Sequence, residues 1–186
     1  MGIPTLIKTQ TASGSDYIDF IDGTSSVVFD STYDEYMFVF TDINPATDGV
    51  EFSFQVNATD DAGGGYDTSQ ITSTYFFATH NEADSSAYLG YSTSFDQANG
   101  TTFQYLMHDM GNGSDESCAG VLHLFSPAST TYVKHFYARL TENDMANQAT
   151  VAHIAGYIND TTAIDEIQFK MSSGNFDGVI QLYGIA

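Results

Sequence analysis

The stretch Val50-Glu51-Phe52-Ser53-Phe54-Gln55-Val56 decides the fold class. Its even positions are all apolar and its odd positions all polar, a period that an extended chain converts into one dry face and one wet face. A helix, at about 3.6 residues per turn, would scatter the same side chains around its axis. The reading places Val50, Phe52, Phe54 and Val56 in a core and Glu51, Ser53 and Gln55 in water. Near the C-terminus Ile167, Phe169 and Met171 alternate with Glu166, Gln168 and Lys170 in the same way.

Working outward, Tyr36-Met37-Phe38-Val39-Phe40 is apolar at every position and predicts a central strand covered on both faces. Less regular runs rich in aromatic and β-branched residues predict further strands. They are Tyr17 to Ile21, Ile71 to Ala78, Tyr88 to Phe95, Thr102 to His108, Gly120 to Phe125, Tyr132 to Ala138, Val151 to Tyr157 and Val179 to Ile185. Turn formers separate them: Asn44 to Gly49, Asp60 to Gly65, Gly111 to Ser117, Ser126-Pro127-Ala128, and Asn99-Gly100, which suits a hairpin. The best helical candidate, Glu142 to Thr150, is short and polar. About ten strands punctuated this way predict an all-β chain, an antiparallel sandwich. The expected organisation is an N-terminal arm at residues 1–15 and a single domain at residues 16–186.

Charge limits the partners. Among 186 residues, 24 are acidic and 4 basic, a formal net charge of −20. Lys8, Lys134, Arg139 and Lys170 are too few and too scattered to neutralise a phosphate track, which excludes nucleic acid. An anionic membrane surface would repel the chain, and no apolar run approaches the ~20 residues of a span. The acids are dispersed, as at Asp16, Asp19, Asp22, Asp30 and Asp34, which reads as a solvated, self-repelling surface best tolerated in salt. The start, MGIPTLIKTQTASGS, lacks the apolar stretch of a secretory signal, and Leu6 breaks the myristoylation pattern, so a cytoplasmic product is expected. The glycosylation sequons at Asn57, Asn99, Asn112 and Asn159 are then incidental. Cys118, the only cysteine, allows no internal disulfide and is expected to pack as a small hydrophobe.

Candidate chemistry is sparse. The five histidines are His80, His108, His123, His135 and His153, and none stands in a His-x-His or His-Glu-x-x-His spacing. His123, His135 and His153 fall on predicted strands that are able to face one another across a sheet. The spacing nonetheless favours hydrogen-bonded or rim histidines over a metal centre. No Gly-x-Ser-x-Gly elbow occurs. A pair of carboxylates carries no information in a chain so rich in acids. Asp60, Asp61 and Asp67 flank a glycine-rich loop, and Asp115 with Glu116 sits in another. Both are oxygen-rich, as calcium requires, but neither has an EF-hand spacing, so solvated loops are expected. Tyr66, Tyr75, Tyr88 and Tyr91 lie near loops and are the candidates for a sugar-stacking platform, weakened by the lack of Trp. The expectation is therefore a protein that is not an enzyme, with no catalytic, cofactor-binding or metal-ligating residues and no cofactor.

Several stretches together resemble a known group. They are Leu6 to Ser13, Ser31-Thr32-Tyr33-Asp34-Glu35-Tyr36, Ile43 to Gly49, Ile164-Asp165-Glu166-Ile167, and the ending Ser173-Gly174-Asn175-Phe176, Gly178 and Leu182-Tyr183-Gly184-Ile185. In these the chain resembles small virion structural proteins of tailed bacteriophages, marine ones especially. The resemblance implies a jelly-roll-like fold, assembly in a host bacterial cytoplasm and a place on the virion exterior. It implies contact with the major capsid protein or another virion protein, and a homo-oligomer, with a trimer favoured. A capsid decoration (cement) protein is the leading expectation, since the first strand comes early and no fibrous stalk is present. The alternative is a tail or capsid appendage domain that binds host glycan receptors. The resemblance carries over no functional residues.

Overall fold

The computed structural model describes residues 2–60, 66 and 69–186. These form β1 (Thr5–Ser15), β2 (Tyr17–Ile21), β3 (Glu35–Pro45), β4 (Val50–Ala58), β5 (Ile71–Asn81) and β6 (Ala87–Tyr91). They continue as β7 (Gln104–Met110), β8 (Cys118–Phe125), β9 (Lys134–Asn143), β10 (Gln148–Ile158), β11 (Ile164–Met171) and β12 (Phe176–Ile185). No helix occurs among the described residues. One sheet has the order β1-β12-β3-β8-β9-β10-β5-β6 and the other β2-β11-β4-β7, with every pairing antiparallel. The all-β sandwich expected from the alternation is the fold.

The chain changes sheet at every step except β5 to β6, β8 to β9 and β9 to β10. Two hairpins interrupt this rhythm. β5–β6 and β9–β10 stay in the large sheet and extend it beyond β8. This extension carries the site described below.

Rings clamp the sheets together. Phe169 of β11 lies 5.1 Å from Phe38 and 5.2 Å from Phe40, both on β3 of the opposite sheet. Phe20 of β2 meets Phe38 at 5.4 Å, Phe40 meets Phe52 at 5.3 Å, and Phe54 meets Phe136 of β9 at 5.1 Å. All of these rings are buried. Most crossings are edge-to-face or tilted, the arrangement the ring quadrupole favours. Under the extension, His108 of β7, together with Phe95, packs against Tyr75 and Phe77 of β5.

Several expectations need correction. Residues 5–15 are no free arm: Thr5 to Ser15 pair with β12, and Ala12 is buried while Ile7 packs on the core. The polar look of this segment reflects an edge strand with one face in water. Ser53 and Gln55 are buried, although their alternation pointed them to solvent. Gln55 Nε2 donates to the carbonyls of Thr101 and Thr102 in the 92–103 segment, which lies over that face, and Ser53 Oγ donates to the Lys170 carbonyl at 3.0 Å. Asn99-Gly100 makes no hairpin between neighbouring strands, because Gly100 bridges back to Ile71. Residues 142–150 are the end of β9, a turn and the start of β10. The Asp144 carboxylate accepts bonds there from Ala146 N, Gln148 N and Thr150 Oγ1. β3 is central as expected, but Met37 and Val39 on its outer face are only partly covered.

Phe169→Ala is expected to lower unfolding stability by about 3–5 kcal/mol, read from urea denaturation midpoints. Phe169→Leu is expected to cost less. A loss below about 1 kcal/mol, the scale of a surface substitution, would show that this ring does not join the sheets.

Candidate functional site

The outer face of the extension has a composition unlike the rest of the chain. Residues opposite one another in an antiparallel ladder point to the same side of the sheet. One outward row runs Val39, Val121, Arg139, His153, Phe76, Tyr91, across β3, β8, β9, β10, β5 and β6. The row beside it runs Met37, His123, Tyr137, Ala155, Thr74. The row on the other side, from β8 to β6, runs Ala119, Thr141, Val151, Ala78, Leu89. These rows hold no Asp or Glu, in a chain that has 24. Glu35, at the margin, is taken up by a hydrogen bond with His123 Nδ1.

Rings on this face lie parallel. Phe76 and His153 stack at 5.0 Å with 4° between their planes, and His123 and Tyr137 at 4.4 Å with 15°. Phe125 extends the second stack at 5.8 Å from Tyr137. Phe76 and Tyr137 are each 44% exposed, Tyr91 50% and Leu89 73%. Between the stacks the short side chains of Val121 and Ala155 leave an open groove of about 410 Å³. Arg139 lines it, is exposed, and forms no ion pair among the described residues. The other basic residues lie elsewhere. Lys134 is buried and donates to the Asp160 and Thr162 carbonyls. Lys170 sits over the Phe103 ring on the small sheet, and Lys8 lines a separate groove with Gln10 and Asp19.

The histidines divide accordingly. His123, His135 and His153 do share one face, His135 lying edge-on to Tyr157. His80 pairs with Asp84 at 3.2 Å beyond the end of β5. His108 is buried, its Nδ1 is 2.8 Å from Tyr75 Oη, and burial holds its pKa below the ordinary imidazole value. Among the described residues no three His, Cys, Asp or Glu side chains are grouped as metal ligands. Asp61 and Asp67 of the acidic loop lie outside the described residues. In the other loop Glu116 accepts a bond from Gly113 N at 2.6 Å.

Of the tyrosines read as a sugar platform, Tyr75 is in the core, and Tyr66 is tied to Asp19 at 2.6 Å. Tyr88 turns to the inner side against Phe77, and only Tyr91 joins the face. Cys118 is buried, as its small apolar character suggested, and burial pushes its thiol pKa up. The composition-based reading passed over Arg139, Tyr137 and Phe76. The alternation His135, Tyr137, Arg139 against Phe136, Ala138, Leu140 is the signal that would have found the first two.

Comparison with known families, curated proteins and solved structures gives no match. The face therefore stands on its own chemistry: parallel rings, one unpaired guanidinium and a lack of carboxylates.

A second unusual group lies inside. Glu142, on the inner side of β9, is buried, and neither carboxylate oxygen has a hydrogen-bond partner among the described residues. Desolvation, reinforced by Asp144, Asp109 and Glu116, raises its pKa to about 9, so the carboxyl is neutral at pH 7. An acid with a raised native pKa stabilises the fold fully below its unfolded pKa and loses that contribution as pH rises through the native value. Stability is thus expected to fall between about pH 5 and about pH 9, and Glu142→Gln is expected to flatten this slope. Thermal melts of both proteins across that range check it; equal slopes would contradict the assignment.

Proposed function

We propose that the chain is a non-catalytic virion surface protein, a capsid decoration protein, that attaches to the particle through the outer face of the β8-β9-β10-β5-β6 extension. The observation that carries this reading is that, among the described residues, the outward rows of that face hold no Asp or Glu, in a chain of net charge −20, and that the acids at its rim, Glu35 and Asp96, are hydrogen-bonded to His123 and Tyr91. Elsewhere, dispersed carboxylates repel an approaching protein surface and hold water that must be stripped before contact. On this face rings and short aliphatic chains shed water cheaply. Such a patch, rimmed by polar surface, is what a protein contact uses.

The winding supports the same reading. With the two hairpins set aside, β1-β12-β3-β8 and β2-β11-β4-β7 are ordered as in an eight-stranded jelly roll, the fold implied for the virion proteins this chain resembles. We read the hairpins as an addition to that body which widens one sheet into a contact platform.

Size argues for repetition. Strands about 4.8 Å apart and same-face residues about 7 Å apart give the platform on the order of 500 Å². A standard stable interface buries about 800 Å² per partner. One contact is therefore weak, and firm attachment follows from many copies or from a homo-oligomer that engages several sites together. A glycan-binding appendage is the second reading, favoured by the exposed rings of Phe76 and Tyr137.

Leu89→Asp places a carboxylate on the platform at an exposed position and is expected to weaken attachment to particles assembled without the chain by about ten-fold or more, with the melting temperature unchanged. Thr9→Asp, on the β1 edge of the same sheet, is the control and is expected to bind normally. Co-sedimentation measures both. Full attachment of the Leu89 variant would overturn the reading.

A further inference from the structure

The contact platform is not uniform, and its one charged feature narrows what it can receive. Arg139 stands exposed between the Phe76–His153 stack and the His123–Tyr137 stack, above the short side chains of Val121 and Ala155. Its guanidinium has no carboxylate partner among the described residues, although acids are the commonest charged groups in the chain. A planar guanidinium presents a fork of N–H donors matched to a carboxylate, and it binds most strongly where neighbouring groups are apolar and hold little water. The groove, at about 410 Å³, has room for more than the carboxylate itself.

We propose that the groove around Arg139 is a socket for a carboxylate on an apolar stem: an Asp or Glu side chain of the partner protein, or its terminal carboxylate, flanked by an apolar or aromatic residue. This rests on the reading of the platform as the attachment face and specifies the partner's side of the contact. The carboxylate bridges to Arg139, and the flanking side chain lies between the parallel rings over Ala155.

The composition of the lining favours this ligand over a sugar. No Asp, Glu, Asn, Gln, Ser or Thr side chain lines the groove. The strand carbonyls beneath it are engaged in the β8–β9 and β9–β10 ladders. A saccharide brings many hydroxyl donors and would find acceptors only at imidazole nitrogens and the Tyr137 oxygen. Most of its hydroxyls would lose water without replacement. A carboxylate on an apolar stem needs donors at one end and only rings at the other, and the groove supplies both.

The test uses the full chain with Arg139→Gln and Arg139→Lys, both at an exposed position that leaves the core untouched. Attachment to particles assembled without the chain is expected to fall about ten-fold for Arg139→Gln, the scale of one charge-assisted pair, and to recover in part for Arg139→Lys. Isolated protein is then titrated by NMR with a blocked Phe-Glu dipeptide, a blocked Phe-Gln dipeptide and a glucuronate disaccharide. Phe-Glu is expected to shift the His123, His153 and Tyr137 resonances in the wild type but not in Arg139→Gln, while Phe-Gln leaves them in place. Undiminished attachment of Arg139→Gln would overturn the socket while leaving the platform intact, provided that Leu89→Asp still fails to attach. Equal binding of the two dipeptides, or binding of the glucuronate disaccharide alone, would also overturn it.

Discussion

The packing of Phe169 against Phe38 and Phe40 is the contact on which the rest of the molecule depends. Phe169 belongs to the small sheet, Phe38 and Phe40 to the large one, and Phe20, Phe52 and Phe54 close around the same ring. No disulfide ties the layers, since the lone Cys118 is buried as a thiol. Rings must therefore supply the cohesion, against the mutual repulsion of a strongly acidic surface. The same kind of contact continues under the added hairpins, where Phe54 of β4 meets Phe136 of β9 and His108 of β7 meets Tyr75 and Phe77 of β5.

That overhang creates the functional opportunity. The β9–β10 and β5–β6 hairpins carry the large sheet beyond β8, where their inner side is covered by Phe95 and by His108 of β7 and their outer side is open. Elsewhere the outward positions include acids, such as Asp19 of β2, Glu51 of β4 and Glu166 of β11. On the overhang they are filled with Tyr, His, Phe, Val, Leu, Ala, Thr and one Arg. The partition of charge, more than any single residue, separates this surface from the remainder. It also confines Arg139 to a place where it has no ion pair with a carboxylate among the described residues.

The sequence made the strands visible where alternation was clean and long, as in β4 and β11, and the bounds of β2 coincide with the run from Tyr17 to Ile21. It concealed β1, because Thr, Ser and Lys in an edge strand look like a polar arm until β12 is known to lie beside them. It concealed the burial of Ser53 and Gln55, because the 92–103 segment that covers them is distant in the chain and its docking is not a local property. Residue type also hid the inward turn of Glu142: a charged residue in a short polar run reads as solvent-facing, although its parity with Phe136, Ala138 and Leu140 points it to the core. Of the candidate face, the sharing of one side by His123, His135 and His153 was accessible from strand positions alone. The groove was not, since it depends on which strands neighbour β9, and that order is set by tertiary pairing.

The most direct measurement of the central idea is tyrosine nitration of the chain, free and bound to particles, followed by peptide mass analysis. Tyr137, Tyr91 and Tyr17 are similarly exposed in the isolated fold, but Tyr17 lies on β2 of the small sheet, away from the platform. Binding through the overhang protects Tyr137 and Tyr91 and leaves Tyr17 reactive. Protection of Tyr17 with continued nitration of Tyr137 and Tyr91 would contradict the account.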